Sequence, residues 1–185
     1  MLHEIIIAGF GGQGVLFAGQ LLAYAALAEK KHVTWIPSYG PEMRGGTAHC
    51  TVIVSDEEIG SPLVRHPSAV LALNPPSHAK YAPLMQRGGV LLLDATLIEQ
   101  RSDRTDLQEI ALPAKAIADE LGAPQIANMV MLGALLAATK VVALETLDRV
   151  LEEHVSAKHR QKLEANKMAL RRGAAYVDAR ALAQA

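Results

Sequence analysis

Aromatic residues are scarce in this chain, and their scarcity limits how its core can be built. Phenylalanine, tryptophan and tyrosine make up only 4% of the 185 residues, although 50% of the residues are hydrophobic. The core must therefore consist mainly of Ala, Val, Leu and Ile. A chain of this length is one domain of ordinary size, residues 1–185, and it can bury a full core.

Cysteine is nearly absent, with Cys50 as the single example. A lone cysteine excludes a disulfide framework within the chain, and it excludes zinc or iron–sulfur sites ligated by cysteines of this chain. A catalytic thiol would also need a positioned base. His49 is adjacent to Cys50 on a predicted strand, so its side chain would face the opposite way.

An excess of charge of one sign and a long apolar run are both missing. The formal net charge is −1, which argues against nucleic acid or an anionic membrane as a partner. The apolar run over residues 130–144 is interrupted by Lys140 and is too short to span a membrane. Glu4 and the glycines that follow interrupt any signal-peptide core, so we expect a cytoplasmic protein.

Familiar catalytic and metal-binding motifs are missing as well. The seven histidines form no His-x-x-x-His pair, no serine lies in a Gly-x-Ser-x-Gly elbow, and no lysine completes a Walker motif. Glu42, His49 and Asp94 are the candidates for an acid–base set, but no sequence motif joins them. We therefore predict no catalytic residue and no metal site, and an α/β binding domain rather than a self-sufficient enzyme.

The glycine-rich start of the chain is the feature around which the rest is organised. Residues 5–8 are β-branched apart from one alanine, residues 9–14 contain four glycines, and residues 15–28 carry apolar side chains at roughly helical spacing. This pattern predicts a strand, a sharp turn and a helix whose free amide groups point into the loop. Such a helix N-terminus is suited to a phosphate or a carboxylate.

The spacing Gly9-x-Gly11-x-x-Gly14 fits the dinucleotide-binding fingerprint. That fingerprint also requires an acidic residue at the end of the second strand, to hold the ribose. The second strand is predicted over residues 33–36, and no carboxylate ends it. Three interpretations stay open: a nucleotide site, glycines that serve only close strand–helix packing, and a loop that faces a partner or ligand.

A second loop, over residues 37–46, is the other candidate site. Glu42 and Arg44 lie two residues apart in it, and they either pair within the loop or leave Arg44 free to bind a phosphate or carboxylate with both guanidinium arms. Both loops follow strands, so we expect them at one rim of the sheet. The candidate contacts to a ligand or a partner subunit are Gly11, Gly12, Gln13, Gly14, Tyr39, Glu42, Arg44, Gly45 and Gly46.

Strands that alternate with helices predict a three-layer α/β/α sandwich with a largely parallel sheet, a mixed sheet being left open, and a helical C-terminal part. We predict strands over residues 5–8, 33–36, 47–55, 69–73, 90–94 and 107–111. Helices are predicted over residues 15–28, 77–86, 114–121, 125–139, 144–154 and 158–172. Ser77 is the predicted cap of the second helix, and Gly173 is predicted to end the last one. Asn128 and Asn166 either bond a neighbouring loop or lie at the surface.

At its two loops the chain resembles the γ subunit, or γ domain, of 2-oxoacid:ferredoxin oxidoreductases. The resemblance covers nearly all of the chain. It depends on residues 9–15, 38–47, 54–56 and 59–62, and on Asn128, Gly133 and Asn166. The two loops show no departure from the family pattern.

The resemblance implies a role in oxidative decarboxylation, in which a 2-oxoacid and coenzyme A give an acyl-CoA and CO2 while ferredoxin accepts the electrons. It implies thiamine diphosphate, Mg²⁺ and [4Fe-4S] clusters in a complex with α and β subunits, with a ferredoxin-like δ subunit as a further candidate. The present chain has neither a Gly-Asp-Gly diphosphate motif nor cluster cysteines. We therefore expect it to bind no cofactor alone and to assist an active site built mostly by other chains.

Residues 34–37, Thr-Trp-Ile-Pro, resemble the 2-oxoglutarate branch of the family more than the pyruvate branch. The 2-oxoisovalerate and indolepyruvate branches stay open. A function of another class also stays open, namely a stand-alone regulator that binds a nucleotide at the glycine loop.

Overall fold

The computed structural model describes residues 1–39, 46–154 and 157–184. Its strands are β1 (Leu2–Phe10), β2 (His32–Tyr39), β3 (Thr47–Ser55), β4 (Ala69–Ala72), β5 (Val90–Asp94) and β6 (Gln108–Leu112). Its helices are α1 (Val15–Ala28), α2 (Pro75–Tyr81), α3 (Ala114–Glu120), α4 (Ala127–Thr139), α5 (Leu144–His154) and α6 (Leu163–Gln184). Short 3-10 turns occur at Ala82–Leu84, Pro124–Ile126 and Ala157–Lys162.

The six strands form one mixed sheet in the order β2-β3-β1-β4-β5-β6. The strands β1, β4, β5 and β6 are parallel, whereas β3 is antiparallel to both β1 and β2. The connection between β2 and β3 is too short for a crossover, so the two strands can pair only as a hairpin. The mixed alternative is therefore the one that the chain adopts, and β3 is inserted between β1 and β2.

The side chains of β1 alternate between two apolar layers, as a strand buried on both faces requires. Ile5 and Ile7 belong to the cluster that includes α1 and α4. Ile6 and Ala8 pack on the other face, with Tyr81 of α2. Helices therefore cover both faces of the sheet, as the α/β/α prediction states. Among the described residues, no helix is both long enough and apolar enough to cross a membrane.

The last helix is longer than the sequence predicted, because α6 continues through Gly173 to Gln184. Gly173 was expected to end it. A Cβ on Gly173 would overlap the carbonyl oxygen of Val130 in α4, and a Cβ on Gly133 of α4 would overlap the carbonyl oxygen of Leu170. Close packing of the two backbones therefore requires glycine at both positions, and tertiary contact overrides the low helix propensity of glycine.

Two other predicted boundaries were wrong at α2. The cap is Asn74 rather than Ser77: the Asn74 Oδ1 accepts a hydrogen bond from the Ser77 amide at 2.8 Å. The helix ends at Tyr81 instead of reaching residue 86, and a 3-10 turn that contains Pro83 follows it. Proline at that position cannot donate the hydrogen bond that would continue an α-helix.

We predict that Gly173→Ala lowers the free energy of unfolding by about 3 kcal/mol, because the added methyl group must push α6 away from α4. Gly60→Ala is the matched control, since a Cβ at Gly60 meets nothing within 4 Å. It should change the free energy of unfolding by less than about 0.5 kcal/mol. Urea denaturation of the two variants checks this, and equal losses would contradict the packing argument.

Candidate functional site

The glycine loop joins β1 to α1 with backbone angles that favour glycine. Gly12 has a φ of +97° and Gly14 a φ of +72°, both in the left-handed region. Gly14 is the N-cap of α1, no side chain caps this end, and the first turn contains no acidic residue. The first turn of α1 therefore places no negative side chain of its own at the positive end of the helix dipole.

The side chain of Gln13 joins the ends of two neighbouring strands. Its Oε1 accepts a hydrogen bond from the Phe10 amide at 2.6 Å, and its Nε2 donates to the Leu73 carbonyl at 2.9 Å. Phe10 is the last residue of β1, and Leu73 follows β4 directly. The carboxamide therefore lies between the carboxyl ends of β1 and β4.

A second amide side chain holds the other end of the loop. Asn128, the second residue of α4, donates from Nδ2 to the carbonyl oxygen of Gly14 at 3.0 Å. Its side chain is buried, and Asn166 of α6 is buried too, so the surface interpretation of both residues was wrong. A Cβ on Gly14 would overlap the Asn128 amide, which explains why Gly14 has no room for a side chain.

The described ends of the second loop, Tyr39 and Gly46, lie at the same rim of the sheet as the glycine loop. Gly11 donates its amide hydrogen to the carbonyl oxygen of Gly46 at 2.9 Å. The register pairs Phe10 with Thr47, and Tyr39 ends β2 opposite Ala48. The structure thus brings Gly11, Gly12, Gln13, Gly14 and Gly46 together. Glu42, Arg44 and Gly45 lie outside the described residues.

Phe10 and Phe17 are the two phenylalanines of the chain, and both are exposed at this rim, with 36% and 37% of their surface accessible. Phe10 ends β1, and Phe17 lies in the first turn of α1. Sequence reasoning missed them because it assigned apolar side chains to the core. Their positions, inside the glycine motif and three residues after it, could have revealed them. Exposed large apolar side chains are typical of a contact surface where they form a contiguous patch.

Asp94 binds backbone amides at the same rim of the sheet. It is fully buried, and its carboxylate accepts hydrogen bonds from the amides of Thr96 at 3.0 Å and Lys115 at 3.1 Å. It thereby holds the first turn of α3. Asp94 also lines a cavity of about 140 Å³ together with Gly12, Gln13 and Lys115. This cavity was not predicted, because the sequence does not show that α3 begins beside the glycine loop.

Of the acid–base set considered from the sequence, the structure describes His49 and Asp94 and does not bring them together. His49 lies on β3 and Asp94 on β5, with β1 and β4 between them, which separates the two by roughly 14 Å. Burial, followed by the nearby Lys80 charge, lowers the pKa of His49 below its ordinary value.

Burial raises the pKa of the Cys50 thiol to about 12, so this cysteine is not a thiolate nucleophile near neutral pH. The described residues contain no group of three or more potential metal ligands.

Comparison with known proteins gives one family. Residues 4–176 match the family described as Pyruvate ferredoxin/flavodoxin oxidoreductase. The chain is 47% identical over 134 residues to ketoisovalerate oxidoreductase subunit VorA of Methanothermobacter marburgensis, which covers 72% of this chain but 28% of VorA. It is 37% identical over 158 residues to 2-oxoglutarate synthase subunit KorC of Methanocaldococcus jannaschii, with 84% of each protein covered.

A solved structure matches over the whole fold. The γ subunit of a keto/oxoacid ferredoxin oxidoreductase from Geobacter sulfurreducens superimposes with a TM-score of 0.85 at 31% identity, covering 97% of this chain and 98% of that one. The chain therefore spans little more than a quarter of VorA but nearly all of a γ subunit.

We predict that Gly14→Ala destabilises the chain more than Gly12→Ala does. Both substitutions place a side chain at positive φ, which costs about 1–2 kcal/mol. Only Gly14→Ala also displaces the Asn128 amide and leaves buried polar groups unpaired, which adds about 1–3 kcal/mol. A Cβ on Gly12 meets nothing within 4 Å, so Gly12→Ala should cost the backbone strain alone. Urea denaturation measures both, and equal losses would show that the contact with Asn128 is unimportant.

Proposed function

Because this chain belongs to the pyruvate ferredoxin/flavodoxin oxidoreductase family, we propose that it serves as the γ subunit of a 2-oxoacid:ferredoxin oxidoreductase. The observation that carries the proposal is the end-to-end agreement with a γ subunit, in which neither chain has a substantial unmatched part. The likeness to KorC, which is of similar length, supports the same role.

In the proposed reaction a 2-oxoacid and coenzyme A become an acyl-CoA and CO2, and two electrons pass to two molecules of oxidised ferredoxin. We assign thiamine diphosphate, Mg²⁺ and the [4Fe-4S] clusters to the α and β subunits and to a ferredoxin-like δ subunit. The assignment is supported by the single cysteine of this chain, since a cluster requires several thiolate ligands and Cys50 is buried. A cytoplasmic location belongs to the same proposal.

The substrate we propose is 2-oxoglutarate. The Thr-Trp-Ile-Pro segment before the second loop and the likeness to KorC favour it. The higher identity to VorA favours 2-oxoisovalerate as the second candidate, although it extends over a smaller part of the chain. The substrate pocket itself is assigned to other subunits.

We further propose that the rim formed by the two loops is the part of this chain that meets the active site of the complex. The exposed Phe10 and Phe17 supply apolar contact area for a partner subunit. The uncapped N-terminus of α1 suits an anionic group, either a partner carboxylate or a phosphate of coenzyme A. We assign Tyr39, Glu42, Arg44 and Gly45 to the same proposed surface, since β2 ends and β3 begins at this rim.

We predict that the purified chain alone decarboxylates no 2-oxoacid, because no catalytic set assembles among its described residues. An assay with thiamine diphosphate, Mg²⁺, coenzyme A and a viologen acceptor tests this with 2-oxoglutarate, 2-oxoisovalerate and pyruvate in turn. Turnover should appear only after α and β subunits are added. Turnover by the chain alone would refute the division of labour proposed here.

Arg44→Ala is predicted to leave the melting temperature of the isolated chain nearly unchanged, since an exposed ion pair contributes only about 0–1 kcal/mol. In the reconstituted complex the substitution should weaken subunit assembly by roughly tenfold or more, or raise KM for coenzyme A or the 2-oxoacid by the same factor. The reason is that truncating a side chain in a desolvated contact costs about 2–5 kcal/mol. Arg44→Lys should restore only part of this, since lysine keeps the charge but loses the forked geometry. A large fall in melting temperature with normal kinetics would assign Arg44 to its own loop instead.

A further inference from the structure

The gap between the carboxyl ends of β1 and β4, which we name the switch-point crevice, is where an open α/β sheet ordinarily binds a ligand. The helix after β1 covers one face of the sheet and the helix after β4 covers the other, so the chain turns in opposite directions from these neighbouring strands. Dinucleotides bind at such a point when a Gly-x-Gly-x-x-Gly loop borders it. This chain has that spacing at Gly9, Gly11 and Gly14.

The crevice is filled from within. The carboxamide of Gln13 lies across it, and both of its polar atoms are bonded, one to the Phe10 amide and the other to the Leu73 carbonyl. The chemistry of these partners also orients the amide, because the Phe10 N–H can bond only to an oxygen and the Leu73 carbonyl only to a donor. A pyrophosphate would have to displace both hydrogen bonds.

The glycines of the motif serve this closed arrangement. A Cβ on Gly9 would lie 2.6 Å from the Gln13 Oε1, 3.0 Å from the Leu73 Cβ and 3.1 Å from the Val15 Cγ2, so Gly9 leaves the space that the Gln13 side chain occupies. The Gly11 amide is also used, because it donates to the Gly46 carbonyl. Two amides of the loop are thus engaged inside the protein, since the Gln13 amide also donates to the Phe10 carbonyl oxygen at 3.1 Å.

The strand order of the sheet also leaves no position for a ribose site. In a dinucleotide-binding fold the second strand of the chain lies beside the first, and its carboxyl end holds the ribose. Here β3 separates β2 from β1, and the β2–β3 hairpin, through Gly46, occupies the neighbouring position.

We propose that Gln13 is a positioning residue that closes the switch-point crevice, so that the glycine loop forms a fixed protein surface and takes no dinucleotide. This goes beyond the role of γ subunit, because it concerns how the loop is held in the chain by itself. It also separates that role from a nucleotide-binding regulator built on the same motif.

Gln13→Glu tests the closure through its pH dependence. One oxygen of the new carboxyl group still accepts a hydrogen bond from the Phe10 amide. The other oxygen faces the Leu73 carbonyl and can donate a hydrogen bond to it only when it is protonated. The closed loop therefore raises the pKa of the glutamic acid above its usual value of about 4.3, and closure is present at low pH and lost as the pH rises through the raised pKa. Of the charged groups near residue 13, the Asp94 carboxylate raises this pKa further and the positive end of α1 lowers it, while the Lys115 ammonium is bonded to Asp119.

The measurement is NMR-detected hydrogen exchange of the Phe10 amide in the full chain, each variant being compared with the wild type at the same pH. Gln13→Glu should match the wild type at about pH 5 and exchange roughly tenfold faster at about pH 8. In Gln13→Ala the Phe10 amide should exchange faster than in the wild type at both pH values. Gln20→Glu is the same substitution within α1, and in it the Phe10 amide should exchange at the wild-type rate at both pH values. The exchange rates of the core amides of residues 91–93 should be unchanged in every variant.

Equal exchange of the Phe10 amide in the wild type and in Gln13→Ala would overturn the proposal. So would saturable binding of NADH by the wild-type chain tighter than about 1 mM in calorimetry. Neither measurement needs partner subunits, so a complex without turnover would refute the proposed function and leave this inference standing.

Discussion

The insertion of β3 between β1 and β2 is the constraint on which the rest of the structure depends. A hairpin between β2 and β3 is antiparallel, so the loop that joins them emerges at the same edge as the carboxyl end of β1. The two glycine-rich loops therefore meet, and the hydrogen bond from Gly11 to Gly46 joins them. A parallel arrangement with β2 beside β1 would have left room for a nucleotide at this edge. The observed order replaces that site with a protein surface.

The helical layer supports this surface from behind. Asn128 at the start of α4 bonds the carbonyl oxygen of Gly14, and α4 is held close to α6 where Gly133 and Gly173 let the two backbones meet. The position of α4 relative to the sheet thus determines where the amide of Asn128 lies. Core packing and loop geometry are therefore connected through one helix, with glycine at the α4–α6 contact and asparagine at the loop.

Much of the fold could be predicted because the local pattern and the tertiary environment agree. The alternating and apolar runs of β3 and β5 and the amphipathic pattern of α5 have the predicted bounds. The errors arose where a distant contact decides the outcome. Gly173 continues a helix because Val130 lies against it, a contact that no local propensity contains. Asn74 rather than Ser77 caps α2 because the helix begins at Pro75, two residues before the predicted cap.

The candidate site was predicted in part for the same reason. The glycine motif identified the loop, and the strand order expected of an α/β fold placed both loops at one rim. The bond between Gln13 and Leu73 joins residues sixty positions apart in the sequence, so spacing alone could not reveal that the crevice is closed. The exposed Phe10 and Phe17 were also missed, because hydrophobicity by itself assigns a side chain to the core and does not identify an interface.

The central claim is that this chain works as one subunit of a larger oxidoreductase. The most direct test is to purify the tagged chain from its own host under native conditions and to measure the accompanying chains, thiamine diphosphate and iron. The account predicts that the chain elutes with α and β subunits in fixed stoichiometry, and that the assembly contains both thiamine diphosphate and iron–sulfur clusters. Elution as a homo-oligomer without either cofactor, while the α and β subunits elute elsewhere, would contradict it.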